Sequence, residues 1–374
     1  MRYLDHAATT PLRPEARAAM EPYLGEVFGN PSGIHRVARR AKDAIEAARE
    51  RAAELLGAAR PDEIVFTGGG TEADNLAVIG TALAADRGVV ASAIEHAAVV
   101  ESVGFLEGLG LPAVLVPPDR NGRIDPEAVA AAVARIRPAV VSVMVANNEL
   151  GTLQPIADVA AAVRRVAPDV VVHTDAVQAF SSEEVTVGAT GADLISLSAH
   201  KFGGPKGVGL LYVRDGVTVA PVLRGGGQEL GRRSGTHNVA GIVGMVAAME
   251  AAVADRAAFR DRVGEARDVF EERLAGVGAV PTVLAPRLPQ HAHLRFEGVD
   301  AETLLVRLDL AGVAAAAGSA CHSGAVEPSH VLRAIGLGDG EARRCVRFTF
   351  GWPDDVAGAK EAADIVAGVV EELR

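Results

Sequence analysis

The chain is poor in several residue types, and each shortage excludes a class of protein. It has 2 cysteines in 374 residues, too few for a disulfide framework, so a reducing compartment and a cytoplasmic location are expected. Long apolar runs are missing too. The longest, 239–249, is stopped by Glu250 and is too short to span a bilayer, so no membrane association is expected. The opening MRYLDHAATTPLRP lacks the apolar stretch of a signal peptide. Lysine is scarce: of 37 basic residues only Lys42, Lys201, Lys206 and Lys360 are lysines. A reaction that needs an amine therefore has few candidates. Lys42 and Lys360 fall in charge-mixed helical segments and read as solvated, which leaves Lys201 and Lys206. Positive charge is also outnumbered, with 48 acidic residues and a formal charge of −11. Direct nucleic-acid binding is not expected, because phosphate neutralisation needs clustered cations.

What is present suffices for a large core. Hydrophobic residues make up 49% of the chain, and the length suggests two domains. Segments 63–67, 88–93, 113–116, 138–146, 170–174, 194–198 and 208–213 are continuous Val/Ile/Leu-rich runs. Such runs fit strands buried on both faces of a mainly parallel sheet. Helical periodicity fills the gaps, as in 35–56, which Gly57 would stop, and in 156–166. After Asp255 the character changes to one amphipathic helix over 259–274, shorter elements, an alternating strand over 345–350 and a closing helix over 354–373. The fold class expected is α/β. A large domain, 14–255, carries a seven-stranded, mainly parallel sheet; a smaller α/β domain is built from 1–13 and 256–374.

In open α/β sheets ligands bind outside the carboxyl ends of the strands, so the polar residues just past each run are the candidates. Thr67-Gly-Gly-Gly-Thr-Glu-Ala-Asp74 opens a helix, with Thr71 and Asp74 spaced as a capping box. Its glycine N–H groups and helix N-terminus suit a phosphate; an ordinary flexible turn would read the same way. His96, Asn147, Asn148, Glu149, Asp175, Gln178, Ser198, His200 and Lys201 follow later runs. A phosphate loop, a carboxylate and an amine are what pyridoxal 5′-phosphate needs. The carboxylate keeps the pyridine nitrogen protonated, and the amine bonds to the aldehyde. Lys201 suits the amine role, whereas Lys206, in Gly-Gly-Pro-Lys-Gly, reads as a turn residue. Cys321 lies in the small-residue run Ala-Gly-Ser-Ala-Cys-His-Ser-Gly and reads as an exposed nucleophile on a loop; Cys345, in an apolar element, reads as structural. Arg347 alternates with Val346, Phe348 and Phe350. It reads either as a bidentate clamp for a carboxylate or as a surface arginine.

These motifs resemble the cysteine desulfurases of the IscS/NifS type, in the class V aminotransferase branch of fold-type I pyridoxal-phosphate enzymes. The resemblance runs almost end to end. It is carried by Tyr3-Leu-Asp-His-Ala-Ala-Thr-Thr-Pro11, Phe28-Gly-Asn-Pro31, Phe66-Thr-Gly-Gly-Gly-Thr-Glu-Ala-Asp-Asn75, Asn147-Asn-Glu-Leu-Gly151, His173-Thr-Asp-Ala-Val-Gln178, Ser198-Ala-His-Lys-Phe202, Gly225-Gly-Gly-Gln-Glu229, Arg233-Ser-Gly-Thr236, Gly318-Ser-Ala-Cys321 and Glu327-Pro-Ser-His-Val331. It implies that Lys201 bonds the cofactor and Asp175 pairs with the ring nitrogen. Gln178 and Asn148 would lie at the ring oxygen or its surroundings. His96 would stack on the ring and assist proton transfer. Gly70, Thr71, Ser198 and His200 would hold the phosphate, with Thr236 reaching the phosphate of a second subunit in a homodimer. Asn30 and Arg347 would hold the carboxylate of L-cysteine. No metal site is assigned.

The implied reaction yields L-alanine and a persulfide on Cys321, whose sulfur passes to an acceptor protein. Iron–sulfur assembly, tRNA thiolation, DNA sulfur modification and natural-product sulfur incorporation would all use the same site. Selenocysteine cleavage is a neighbouring alternative. Transamination is a second, although it has no use for a loop thiol. A catalytically silent sulfur-carrier scaffold is the non-enzymatic one. The sequence departs from the family pattern at Ala316-Ala317, where serines are frequent. It departs again at Trp352, where arginine is common, and at His291-Ala-His293, a stretch that usually carries an asparagine.

Overall fold

The computed structural model describes residues 1–284, 286–318 and 329–374. The chain opens on a two-residue strand, β1 (Arg2–Tyr3). The main sheet follows with β2 (Ile64–Thr67), β3 (Val89–Ser92), β4 (Ala113–Val116), β5 (Val140–Ser142), β6 (Val171–Asp175), β7 (Leu194–Ser198) and β8 (Gly209–Val213). Its spatial order is β2-β8-β7-β6-β5-β3-β4. Only β8 runs against its neighbours, while β3 to β7 pair in parallel. Central strands β5 and β7 are buried at every residue, because helices cover both faces; this is why they read as apolar-rich runs whose only polar residues are small serines. The run 138–146 is a strand only over Val140–Ser142. Beyond it the Met144 N–H is taken by the Glu95 carboxyl at 2.8 Å instead of by a neighbouring strand.

The helices follow from composition. Helix Arg36–Leu56 turns Ala41, Ile45, Ala48, Ala52 and Leu56 to the core at helical spacing. Gly57 ends it at φ +67, donating its N–H to Ala53 and Glu54. One expectation needs correction: 259–274 is not a separate helix but the second half of Val239–Ala275, 37 residues long. The alanine-rich stretch between the halves contains no glycine or proline, so nothing breaks the ladder. Ile242, Met245, Val246 and Met249 pack into the core beneath the main sheet. Phe259, Val263, Phe270 and Leu274 pack into a second core with Leu4, Leu294, Phe296, Phe348 and Val366.

That second core lies under a small antiparallel sheet of β9 (Ala279–Pro281), β10 (His291–Phe296) and β12 (Cys345–Thr349), in the order β12-β10-β9. Strand β11 (Val313–Ala314) pairs in parallel with β1. Val331, Leu332, Ile335 and Cys345, late in the chain, join the larger core. No helix among the described residues is long and apolar enough to cross a membrane.

Candidate active site

The carboxyl ends of β3, β6 and β7 place His96, Asp175 and Lys201 at one edge of the sheet. Asp175 is the last residue of β6, 6% exposed, and accepts the Val177 N–H at 2.8 Å. Burial pushes its carboxyl above the usual range, while His96 and Lys201 pull it down. A buried carboxylate held mainly by a backbone amide suits a protonated ring nitrogen. His96 caps helix Ala97–Gly108, its Nδ1 accepting the Ala98 N–H at 3.1 Å. Burial, with Lys201 and His330 nearby, holds its imidazole below the usual value against the pull of Asp175. Lys201 ends a short 3₁₀ turn, Ala199–Lys201, that leaves β7. Its Nζ donates to the carbonyls of Ala7 and, at 3.0 Å, Ala8. The N-terminal segment thus lies across the amine. Gln178 Nε2 donates to the same Ala7 carbonyl at 3.0 Å.

The phosphate end is built by helix Gly70–Ala85, whose N-terminus carries no side-chain cap and so keeps its N–H groups available. A Cβ at Gly70 would meet Val177 Cγ2 at 3.1 Å and Ser198 Cβ at 3.2 Å. A bare backbone edge beside the Ser198 hydroxyl is a cradle for an oxyanion. The capping box expected of Thr71 and Asp74 does not form. Thr71 is exposed, and it is Glu72 that accepts the Gly68 N–H at 2.8 Å. His200 bonds Thr9 Oγ1 at 3.1 Å. Burial first, then Lys201 and Lys206, bring it down to about 4, so it is neutral at pH 7. An uncapped helix end, a hydroxyl, an amine and an underpaired carboxylate match what a phosphorylated pyridine aldehyde requires.

Arg347, on β12, is 2% exposed, which rules out the surface reading. Its Nη2 pairs with Asp5 at 2.7 Å and its Nη1 donates to the Asn148 carbonyl at 2.8 Å, while Nε has no partner among the described residues. Asn148, 8% exposed, is joined to the site by that carbonyl. Lys206 is exposed, as expected of a turn residue. Asn30 and Thr236 are both exposed, and among the described residues no hydrogen bond or ion pair joins either to this group. Cys321 lies outside the described residues; Gly318 and Ser329, which flank that stretch, sit side by side near Glu149.

Three carboxyls, Asp74 and Glu95 fully buried and Asp5 half-buried, escaped the sequence. Asp5 is the counter-charge of Arg347, 342 positions away. Asp74, 1% exposed, is held well above the usual carboxylate range by burial and then by the charge of Asp175. Ala73, Leu76 and Ala77 around it marked that helix face as buried. Glu95, 0% exposed, is pushed up to about 8 by burial, and nothing in Ile-Glu-His foretells it.

The chain is similar to known proteins over its whole length. The class-V aminotransferase family model matches residues 2–358. A cysteine desulfurase IscS of Dictyoglomus turgidum is 43% identical over 379 aligned residues, covering 100% of this chain and 95% of that protein. Among solved structures, a NifS-like protein superposes with a TM-score of 0.93 at 32% identity, covering all of both chains. Another, described as SspA in complex with cysteine, gives 0.81 at 35% identity, covering 94% of this chain and 99% of that one.

Proposed function

We propose that this chain, which belongs to the class-V aminotransferase family and within it to the cysteine desulfurases of the IscS/NifS type, takes sulfur from L-cysteine and leaves L-alanine. Its cofactor is pyridoxal 5′-phosphate. When bound, that group withdraws electrons from the substrate Cα, which makes the Cα–H acidic and activates the carbon–sulfur bond.

The observation that carries the reading is the joint placement of Lys201, Asp175 and His96 beside the uncapped start of helix Gly70–Ala85. Asp175 would pair with the protonated ring nitrogen. Gly70, Ser198 and His200 line the phosphate end, with Thr71 and, from a second subunit, Thr236 completing it. His96, its imidazole held below the usual value by burial, would stack on the ring and assist proton transfer. Asn148 and Gln178 border it. Arg347 presents a buried guanidinium with a spare Nε–H to the substrate carboxylate, assisted by Asn30. Lys201 moves the proton at Cα, and the two carbonyls beside its Nζ keep the amine at hand between steps. Cys321 then attacks the substrate sulfur as a thiolate, the carbon–sulfur bond breaks, and the departing three-carbon fragment takes up a proton. Cysteine plus enzyme thiol thus gives alanine plus enzyme persulfide, with no outside oxidant or reductant. The persulfide sulfur passes to an acceptor protein, for which iron–sulfur assembly is one destination. A reducing cytoplasm suits a catalytic thiol.

Exposed Leu24, Phe28 and Ile34, the last at 90%, with Leu230 at 71%, support a homodimer. Two separate apolar cores support a division into 14–255 and 1–13 with 256–374, although Val331 and Leu332 side with the larger one. The test is alanine formation from L-cysteine, with dithiothreitol present, by wild type and Cys321→Ala. Alanine from wild type and almost none from the variant is expected; equal amounts would remove Cys321 from the mechanism.

A further inference from the structure

Lys201 borders a small pocket on the side of the N-terminal segment and the small antiparallel sheet. Besides Lys201 it is lined by His6, Gln178, Gln290, His291 and Trp352. Its free volume, about 20 Å³, is enough for one water. Polar atoms around it lack partners among the described residues. Gln290, 6% exposed, leaves Oε1 unbonded. His291, 1% exposed, makes no hydrogen bond of good geometry at either ring nitrogen, although the Asn148 backbone lies close enough to favour a proton on one of them. His6, 5% exposed, sits with Nε2 at 3.0 Å from Asp354 Oδ2. Its Nδ1 faces Gly351, where an added Cβ would come within 2.1 Å. The Asp354 side chain is 24% exposed and so reaches solvent. Orphaned buried polar atoms around a water-sized space mark a bound water.

We propose that this pocket holds a water that links Lys201, through His6 and Asp354, to bulk solvent, with Gln290 and His291 fixing its position. The path is a proton exchange with no net chemistry. An N–H proton leaves Nζ for the water oxygen, and the water releases one of its own to His6 Nδ1. The Nε2–H passes to the Asp354 carboxylate, which exchanges with solvent. His291, kept neutral by burial, adds no competing charge. The function rests on the reading of Lys201 as the group that takes the Cα proton; the water site does not.

The test uses the holoenzyme and L-cysteine deuterated at Cα, with the deuterium content of the alanine read by mass spectrometry. With a working path, the three hydrogens of Nζ exchange between steps and wild-type alanine retains almost no deuterium. In His6→Phe, and independently in Gln290→Leu, retention rises at least about threefold, towards the one-third ceiling that three equivalent ammonium hydrogens allow. The ratio is read per alanine formed, so a slower variant still reports. A crystal structure of the apoprotein should place a water within hydrogen-bond distance of Gln290 Oε1 and of a His291 ring nitrogen. Equal retention in wild type and both variants overturns the path, and no water at that position overturns the site. Absence of alanine from wild type would instead sink the desulfurase reading, and the crystallographic water would decide the site alone.

Discussion

Glu229 and Glu95 are both buried glutamates, and the protein treats them oppositely. Glu229 accepts two hydrogen bonds from Arg49, at 2.7 and 2.8 Å, one from the Phe66 N–H at 2.8 Å, and lies 2.7 Å from His237 Nε2. With that many donors its carboxyl falls to about 2 despite burial. They also hold the loop in place where Glu229 and Leu230 adopt left-handed backbone, φ +50 and +57. Glu95 receives Ser92 and the Met144 N–H on one oxygen, has no partner on the other among the described residues, and rises to about 8. Around it, Asp74 and Asp175 are raised as well. Away from the site, Glu229 has a donor at each carboxylate oxygen. At the site the fold leaves carboxyls and imidazoles short of partners, which is the condition in which a protonation state responds to a bound group.

The comparison breaks most sharply if substitutions in the two regions act alike. Lys201→Ala should lower alanine formation by about a thousandfold or more and move the urea midpoint little, because the hydrogen bonds its side chain gives to Ala7 and Ala8 go to backbone carbonyls at the site's edge and not into either apolar core. A merely partial loss would mean that another group moves the Cα proton. Arg49→Met should do the reverse. Removing one partner of a buried bidentate pair leaves Glu229 uncompensated and costs about 3–5 kcal/mol of unfolding free energy. Alanine formed per folded molecule should stay near wild type. An Arg49→Met protein as stable as wild type would show that His237 and the Phe66 amide suffice to hold the loop.

The same contrast explains what could be read in the sequence. Strands β5 to β7 were legible because two-sided burial favours Val/Ile/Leu-rich runs over strict alternation. The positions of His96, Asp175 and Lys201 were legible because a parallel sheet gathers the residues after its strands at one edge. Pairing was not. The Arg49–Glu229 contact spans 180 positions and Arg347–Asp5 spans 342, so an arginine that looked as much like surface as like a clamp proved buried. Periodicity also missed the joining of 239–249 to 259–274, since an alanine-rich stretch announces no element of its own. The raised carboxyls of Asp74 and Glu95 depend on a partner being absent, which no local pattern records.

The finest test of the comparison is the pH dependence of stability, where the two glutamates should pull in opposite directions. Glu229 has a folded value of about 2, below its ordinary 4.5. It contributes stability that is fully present above pH 5 and is lost as pH falls towards 2, worth about 3 kcal/mol at neutral pH. Glu95 has a folded value of about 8, above 4.5. Its contribution is fully present below pH 4.5 and is lost as pH rises towards 8, a cost of about 3 kcal/mol by pH 7. Glu229→Gln should therefore trail wild type most at pH 7 and approach it near pH 3. Glu95→Gln, which mimics the protonated acid, should match wild type near pH 5 and gain on it steadily up to pH 8. Urea midpoints measured for the three proteins at each pH cancel the titrations they share. If the Glu95→Gln difference were flat from pH 5 to 8, Glu95 would have to be ionised in the folded protein. The site would then hold a cation able to balance it, and the contrast between its two buried glutamates would vanish.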